Sequence, residues 1–137
     1  MDLGIKGRTA IVCAGSKGLG RACAEALAAE GVAIVLNARD AATLAQTAKQ
    51  IAGRQGVTVT PIAADLSTGS GRALLIEACP SPDILINNAG GPPPGDYRSW
   101  SDKDWASALE TNMLAPVTLI RAFAEGMAAR GFGRIVN

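Results

Sequence analysis

The chain has 137 residues, the size of one domain, and 48% are hydrophobic against 4% aromatic, so a core has to be built from aliphatic side chains and alanine. Histidine is absent, which excludes Ser-His-Asp and Cys-His catalysis and imidazole general bases, and no metal site is expected. Thirteen Lys and Arg balance twelve Asp and Glu, and the cations are scattered singly, so no nucleic-acid partner is expected.

No apolar run approaches the roughly eighteen residues that suggest a membrane span, and no membrane partner is expected. The start, Met1 to Lys6, has no apolar stretch of signal-peptide kind. Cys13, Cys23 and Cys79 lack CxxC spacing and sit among apolar residues. They are expected to be reduced thiols in a cytoplasmic protein.

Along the chain, short β-branched runs alternate with longer alanine-rich stretches. Thr9–Cys13 is a continuous apolar run, the pattern of a strand covered on both faces. A glycine-rich turn follows, then a helix over Arg21–Glu30 ended by Gly31. Val32–Leu36 predicts a second strand, and Asp40 caps a helix to about Ala52, closed by Gly53. Val57–Thr60 reads as a third strand with Pro61 near its end, followed by a helix over Gly69–Cys79 stopped by Pro80. Asp83–Asn87 is the fourth strand, and a Gly/Pro-rich loop runs from Gly90 to Tyr97. Ser101–Asp104 resembles a helix cap. The helix it starts should reach about Arg130, with Pro116 bending or splitting it. Arg134–Val136 opens a fifth strand. Such alternation predicts an α/β fold, a doubly wound parallel sheet with helices on both faces and ligands at the carboxyl ends of its strands.

The loops at those ends hold the candidate site. Gly15, Ser16, Lys17, Gly18, Leu19 and Gly20 join the first strand to the first helix, where glycines let backbone approach a pyrophosphate and the helix N-terminus stabilises its charge. Asn37 stands at the tip of the second strand with Arg39 behind it, 17 and 19 residues past Gly20. An acidic residue there would hold the ribose of NAD, whereas an arginine can pair with the extra phosphate of NADP. Lys17 adds a second cation, so NADP is expected over NAD. Asp65 and Leu66 could hold an adenine, although capping of the next helix by Asp65 or Ser67 is an equal alternative. Asn87 and Asn88 are poor strand formers. They fit if their amides bridge neighbouring loops while Ala89 and Gly90 leave room for ribose and nicotinamide. Tyr97, the only tyrosine, is read as a substrate-side contact or a surface residue, and Trp100 and Trp105 as packing groups.

In this order, CAGSKGLG, the NAR segment, DL, NNAG and Thr111-Asn112-Met113 resemble the short-chain dehydrogenases/reductases, and among them the 3-oxoacyl-carrier-protein reductase-like enzymes. The resemblance covers the whole chain. It implies a Rossmann fold of strand order 3-2-1-4-5-6-7 and hydride transfer between NAD(P)H and a small-molecule carbonyl or alcohol. It also implies a homodimer or homotetramer, cofactor contacts at the glycine loop, Arg39, Asp65-Leu66 and Asn88–Gly90, and Asn112 as the catalytic asparagine holding a water of the proton relay through its helix backbone. Two departures stand out. Cys13 and Ala14 replace the Thr and first Gly of the usual TGxxxGxG, and Gly15 is expected to keep the turn. The family's catalytic serine and Tyr-x-x-x-Lys follow the fifth strand, inside which this chain stops. The 137 residues are therefore expected to be the cofactor-binding half of an oxidoreductase, inactive alone. The alternative is a non-catalytic dinucleotide-binding or interaction protein. In either case the apolar side of the long helix, from Leu109 through Met113, Val117 and Ile120 to Ala124, should lack cover.

Overall fold

A computed structural model describes residues 2–91 and 94–137. The order is β1 (Thr9–Val12), α1 (Gly18–Ala29), β2 (Ala33–Ala38), α2 (Ala41–Gln55), β3 (Val59–Ala63), α3 (Gly69–Ala78) and β4 (Ile84–Ile86). After a 3₁₀ turn at Tyr97–Ser99 come α4 (Asp102–Leu109), a π-turn (Glu110–Leu114), α5 (Ala115–Ala129) and β5 (Arg134–Val136). The five strands form one parallel sheet in the order β3-β2-β1-β4-β5. That is the expected order as far as these residues carry it.

Strand alternation sorts the core into two layers. Ala10 and Val12 of β1 face one side with Ile34, Leu36, Ile84 and Ile86, under Ala24 and Ala28 of α1 and Leu44, Ala48 and Ile51 of α2. Ile11 and Cys13 face the other side with Val35 and Leu85, under Leu75 of α3 and Leu119, Phe123 and Met127 of α5. Because the chain leaves β1 toward β2 and β3 on one side and returns to β4 and β5 on the other, the carboxyl ends of β1 and β4 flank a topological switch point.

The structure moves several predicted boundaries. α2 runs two residues past Gly53 and is closed by Gly56 in the left-handed region, φ 67°. β3 starts later than predicted and contains Pro61 opposite Leu36, which is possible because β3 is an edge strand, with no partner on its outer side among the described residues. α1 starts at Gly18, inside the glycine loop. The long helix is split, and the break lies upstream of Pro116. Pro116 sits in the first turn of α5, while the π-turn before it absorbs the misfit of a ring that would clash with the carbonyl of Asn112, four residues back.

On α5 the buried stripe is Ala115, Leu119, Phe123 and Met127. Leu109, Met113 and Val117 of the predicted uncovered side are exposed, joined by Leu114, whereas Ile120 packs partly against the core. Among the described residues no helix is long and apolar enough to cross a membrane, and the three cysteines are free.

Candidate active site

A cleft of about 690 Å³ opens at the carboxyl ends of β1, β2 and β4 and extends under α4. Ser16, Lys17, Leu19, Asn37, Arg39, Asp65, Leu66, Asn88, Ala89, Gly90 and Asn112 all line it, so the structure brings together eleven of the fourteen predicted site residues. Gly15, Gly18 and Gly20 are not in its wall. Two of them shape the wall from behind. A Cβ on Gly15 would run into the Leu36 side chain, and one on Gly20 would run into the Ala14 carbonyl and lie 2.8 Å from Asn88 Nδ2. The turn itself is not made by Gly15, as the sequence suggested. Ala14 carries the left-handed backbone, φ 47°, and Gly15 donates its N–H to the Asn37 carbonyl, 2.8 Å away. The Ser16 carbonyl in turn accepts from the buried Thr47 hydroxyl of α2, at 2.9 Å.

Lys17 occupies the N-cap of α1 with extended backbone and no side-chain cap, and no acidic residue lies in the first turn. The first-turn N–H groups of a helix have no intrahelical acceptor, so here they and the positive helix end are left to whatever occupies the cleft. No Cβ stands at Gly18, where the space one would take is open. Uncapped helix end, close backbone approach and flanking Lys17 and Arg39 fit a dinucleotide pyrophosphate with an additional phosphate beside it.

Asn37 is held by its own hydrogen bonds. It lines the cleft but is buried, and its Nδ2 donates to the carbonyls of Ile62 and Ala64, at 3.0 and 3.1 Å. Its amide nitrogen ties β2 to β3 and is not free for a ribose. Asp40, as expected, caps α2 by accepting the Thr43 N–H at 2.7 Å. The Thr43 hydroxyl, then its N–H, hold the Asp40 carboxyl below its usual range, with help from the Lys17 charge.

Neither Asp65 nor Ser67 caps α3, since Thr68 does. The Asp65 carboxylate accepts from the hydroxyl and N–H of Ser67, at 2.7 and 3.0 Å. These bonds, with the nearby Arg39 charge, keep it ionised to lower pH than usual.

The paired asparagines do bridge loops. Asn88 Nδ2 reaches the carbonyls of Cys13 and Ala14, each at 3.5 Å, and Asn87 Nδ2 donates to Asn137 Oδ1 at 2.7 Å. The Cys13 thiol is buried beside this asparagine pair, with the Asn88 N–H acting only as a minor opposing influence on its titration. Burial pushes that thiol up to about 12, which leaves it protonated and unreactive.

Asn112 sits in the middle of the π-turn, at the far end of the cleft. Its Nδ2 donates to the Ala108 carbonyl, 3.1 Å away. Pro116 lacks the N–H that an α-helix would offer to the Asn112 carbonyl, so this backbone oxygen is freed from the usual helical bond.

Trp100 packs edge-on to Trp105 as expected, with ring centroids 5.4 Å apart, and it also lines the cleft. Asp104, Ser107, Ala108 and Thr111 join it. Their spacing on one helix face with Asn112 was a signal available in the sequence. Tyr97 is 67% exposed and does not line the cleft. Pro92 and Pro93 of the Gly90–Tyr97 loop lie outside the described residues.

Comparison with known proteins gives one consistent answer. The family profile described as short chain dehydrogenase matches residues 8–137. An uncharacterized oxidoreductase of Bacillus subtilis is 34% identical over 99% of this chain and 52% of its own. Gluconate 5-dehydrogenase of Gluconobacter oxydans is 35% identical over 97% of this chain and 53% of its own. Among solved structures, L-sorbose reductase from Gluconobacter frateurii, complexed with NADPH and L-sorbose, superposes with a TM-score of 0.93 at 37% identity, covering 98% of this chain and 53% of that one. A short-chain dehydrogenase from Sphingobium yanoikuyae in complex with NADPH superposes with a TM-score of 0.88 at 30% identity, over 95% of this chain and 52% of that one. The chain thus spans about half the length of the relatives it matches. It belongs to the short-chain dehydrogenase family.

Proposed function

We propose that these residues form the NADP-binding half of a short-chain oxidoreductase that transfers hydride between NADPH and a small-molecule carbonyl or alcohol. The observation that carries this reading is the uncapped N-terminus of α1 opening on a cleft flanked by Lys17 and Arg39. No carboxylate occupies the tip of β2, where Asn37 stands with its amide nitrogen engaged. The NADPH complexes of the similar structures support the same cofactor.

In this reading the first turn of α1 and Ser16 hold the pyrophosphate. Lys17 and Arg39 neutralise the 2′-phosphate, and Asp65 and Leu66 border the adenine. Ala89 and Gly90 leave room for the nicotinamide ribose, and Leu19 stands at the rim of the cleft. The bound cofactor supplies the hydride. The Asn112 carbonyl holds a water for proton movement toward the substrate oxygen. The proton donor itself has to come from outside residues 1–137. Tyr97, their only tyrosine, is exposed away from the cleft and is followed four residues later by Ser101, not lysine. The exposed Leu109, Met113, Leu114 and Val117 fit burial against further chain or a second copy, and the free thiols fit a reducing, cytoplasmic setting.

Fluorescence titration with NADPH and NADH tests the cofactor. NADPH is expected to bind about tenfold more tightly or better, the worth of one charge-assisted phosphate contact, and tighter NADH binding would overturn the reading. Residues 1–137 alone are expected to show negligible carbonyl reduction. Turnover at ordinary enzymatic rates would remove the argument for an external proton donor.

A further inference from the structure

Arg72, in the first turn of α3, has a side chain only 15% exposed. Its Nη1 donates to the Leu66 carbonyl at 2.9 Å and to Glu110 Oε1 at 2.6 Å. The first partner lies in the loop after β3 that borders the adenine side of the cleft. The second opens the π-turn, and its backbone carbonyl accepts the Ala115 N–H that closes that turn around Asn112. Among the described residues no other side chain hydrogen-bonds both segments.

Two further observations separate this bridge from ordinary packing. α3 and α5 are already joined by Leu75, Leu119 and Phe123, all buried, so their association does not need an ion pair. The π-turn, by contrast, has no buried residue of its own. Apolar burial therefore does little to fix its orientation, and the Glu110 carboxylate is its polar anchor to the rest of the molecule. Arg72 keeps this place although its Nε–H is buried without a partner, an unfavourable arrangement that native structures rarely leave without a reason.

We propose that Arg72 is a positioning residue that ties the loop at Leu66 to the π-turn, so that the adenine side of the cleft and the presentation of Asn112 are set together. The proposal rests on the roles given above to Leu66 and Asn112. Its geometric part, that the bridge orders the π-turn, stands without them.

The test uses the full-length protein and the variants Glu110→Ala, Glu110→Gln and Arg72→Met. Without cofactor, hydrogen–deuterium exchange at the amides of residues 111–115 and 117 is expected to speed up about tenfold in Glu110→Ala and Arg72→Met, as local opening becomes easier. Glu110→Gln, which still accepts a hydrogen bond, should recover part of the protection. In steady state, Glu110→Ala should lower kcat about tenfold at saturating NADPH with KM for NADPH unchanged, because it frees Asn112 and leaves Arg72 on Leu66. Arg72→Met should lower kcat and also raise KM for NADPH. If Arg72→Met does not fold, the two Glu110 variants carry the test. Unchanged exchange and unchanged kcat in Glu110→Ala would overturn the proposal, whatever happens to Tm. If the wild type neither binds nor oxidises NADPH, the functional reading fails instead, and the exchange measurement still decides whether Arg72 orders the π-turn.

Discussion

The N-termini of α1 and α2 open on the same cleft and are finished in opposite ways. At α2 the Asp40 carboxylate satisfies a first-turn N–H and neutralises the positive helix end from within the chain. At α1 the N-cap residue is a lysine, without side-chain cap or acidic neighbour in the first turn. Thr68 and the reciprocal Ser101–Asp104 box show that α3 and α4 follow the α2 pattern. α5 also lacks a side-chain cap, but it continues from the π-turn. Of the four described helices that start from a loop, only α1 keeps its end available, and it leaves the central strand β1 beside the switch point. The lesson is that an end finished by the chain itself secures a helix, while the open end at α1 is the one proposed to receive an outside anion.

The largest way to break that difference is Gly20→Ala. The new Cβ would meet a backbone carbonyl, which cannot swing aside as a side chain can, and would crowd Asn88 Nδ2 at 2.8 Å. A destabilisation of about 1–3 kcal/mol is expected, as for other overpacked sites. NADPH and NADH binding should weaken together, since the displaced element is the end of α1 proposed to hold the pyrophosphate that both cofactors share. Chemical denaturation and titration with both cofactors check this. Arg39→Ala should act next in size and with the opposite selectivity, raising the NADPH Kd about tenfold while leaving NADH unchanged, and less so at high salt.

Much of this was legible in the sequence because the chemistry demands unusual residues in unusual places. Glycines at a strand-to-helix turn and adjacent asparagines at a strand end point to a ligand. Continuous apolar runs such as Ile11–Cys13 point to strands covered on both faces, and so to the parallel sheet. Asn37, Ala14 and Trp100 were less legible, for different physical reasons. Asn37 looks free at a strand tip, yet β3 pairs beside it and presents the Ile62 and Ala64 carbonyls to its amide. Ala14 hides its left-handed backbone behind a neighbouring glycine that seemed the natural bearer of the turn. Trp100 enters the cleft only because α4 folds over the carboxyl ends of the strands, a tertiary placement that local pattern does not contain. The helix break was foreseen at Pro116 but lies upstream of it, because proline perturbs the turn before it more than its own.

Asp40→Ala sharpens the comparison by stripping α2 of its cap. Tm is expected to fall at neutral pH. The Asp40 carboxyl titrates below its unfolded value of 3.8. Its contribution is thus complete above that pH and is lost as the pH falls through the folded value. The Tm gap between wild type and variant should therefore close in acid. Because Asp40 lines the cleft near Lys17, removing its charge should also strengthen NADPH binding slightly at low salt. The same substitution would then weaken the fold and favour the ligand, as expected if α2 trades anion affinity for self-capping.

The smallest effect belongs to Ala14, the residue that makes the α1 turn. Its φ of 47° is a backbone that L side chains avoid, at a cost of about 1–2 kcal/mol per residue. Ala14→Gly removes that strain but gives the unfolded chain more freedom, offsetting about 0.5–1 kcal/mol. The balance is a stabilisation of about 0.5–1 kcal/mol, to be read from denaturation midpoints. NADPH affinity should change little, because the substitution takes only a methyl group from the cleft wall and leaves the Ala14 carbonyl, which Asn88 contacts, in place. A loss of stability would mean that contacts of the Ala14 methyl group outweigh the strain. A gain in stability with unchanged affinity would show that the turn and the phosphate cradle, although adjacent in sequence, are energetically separate.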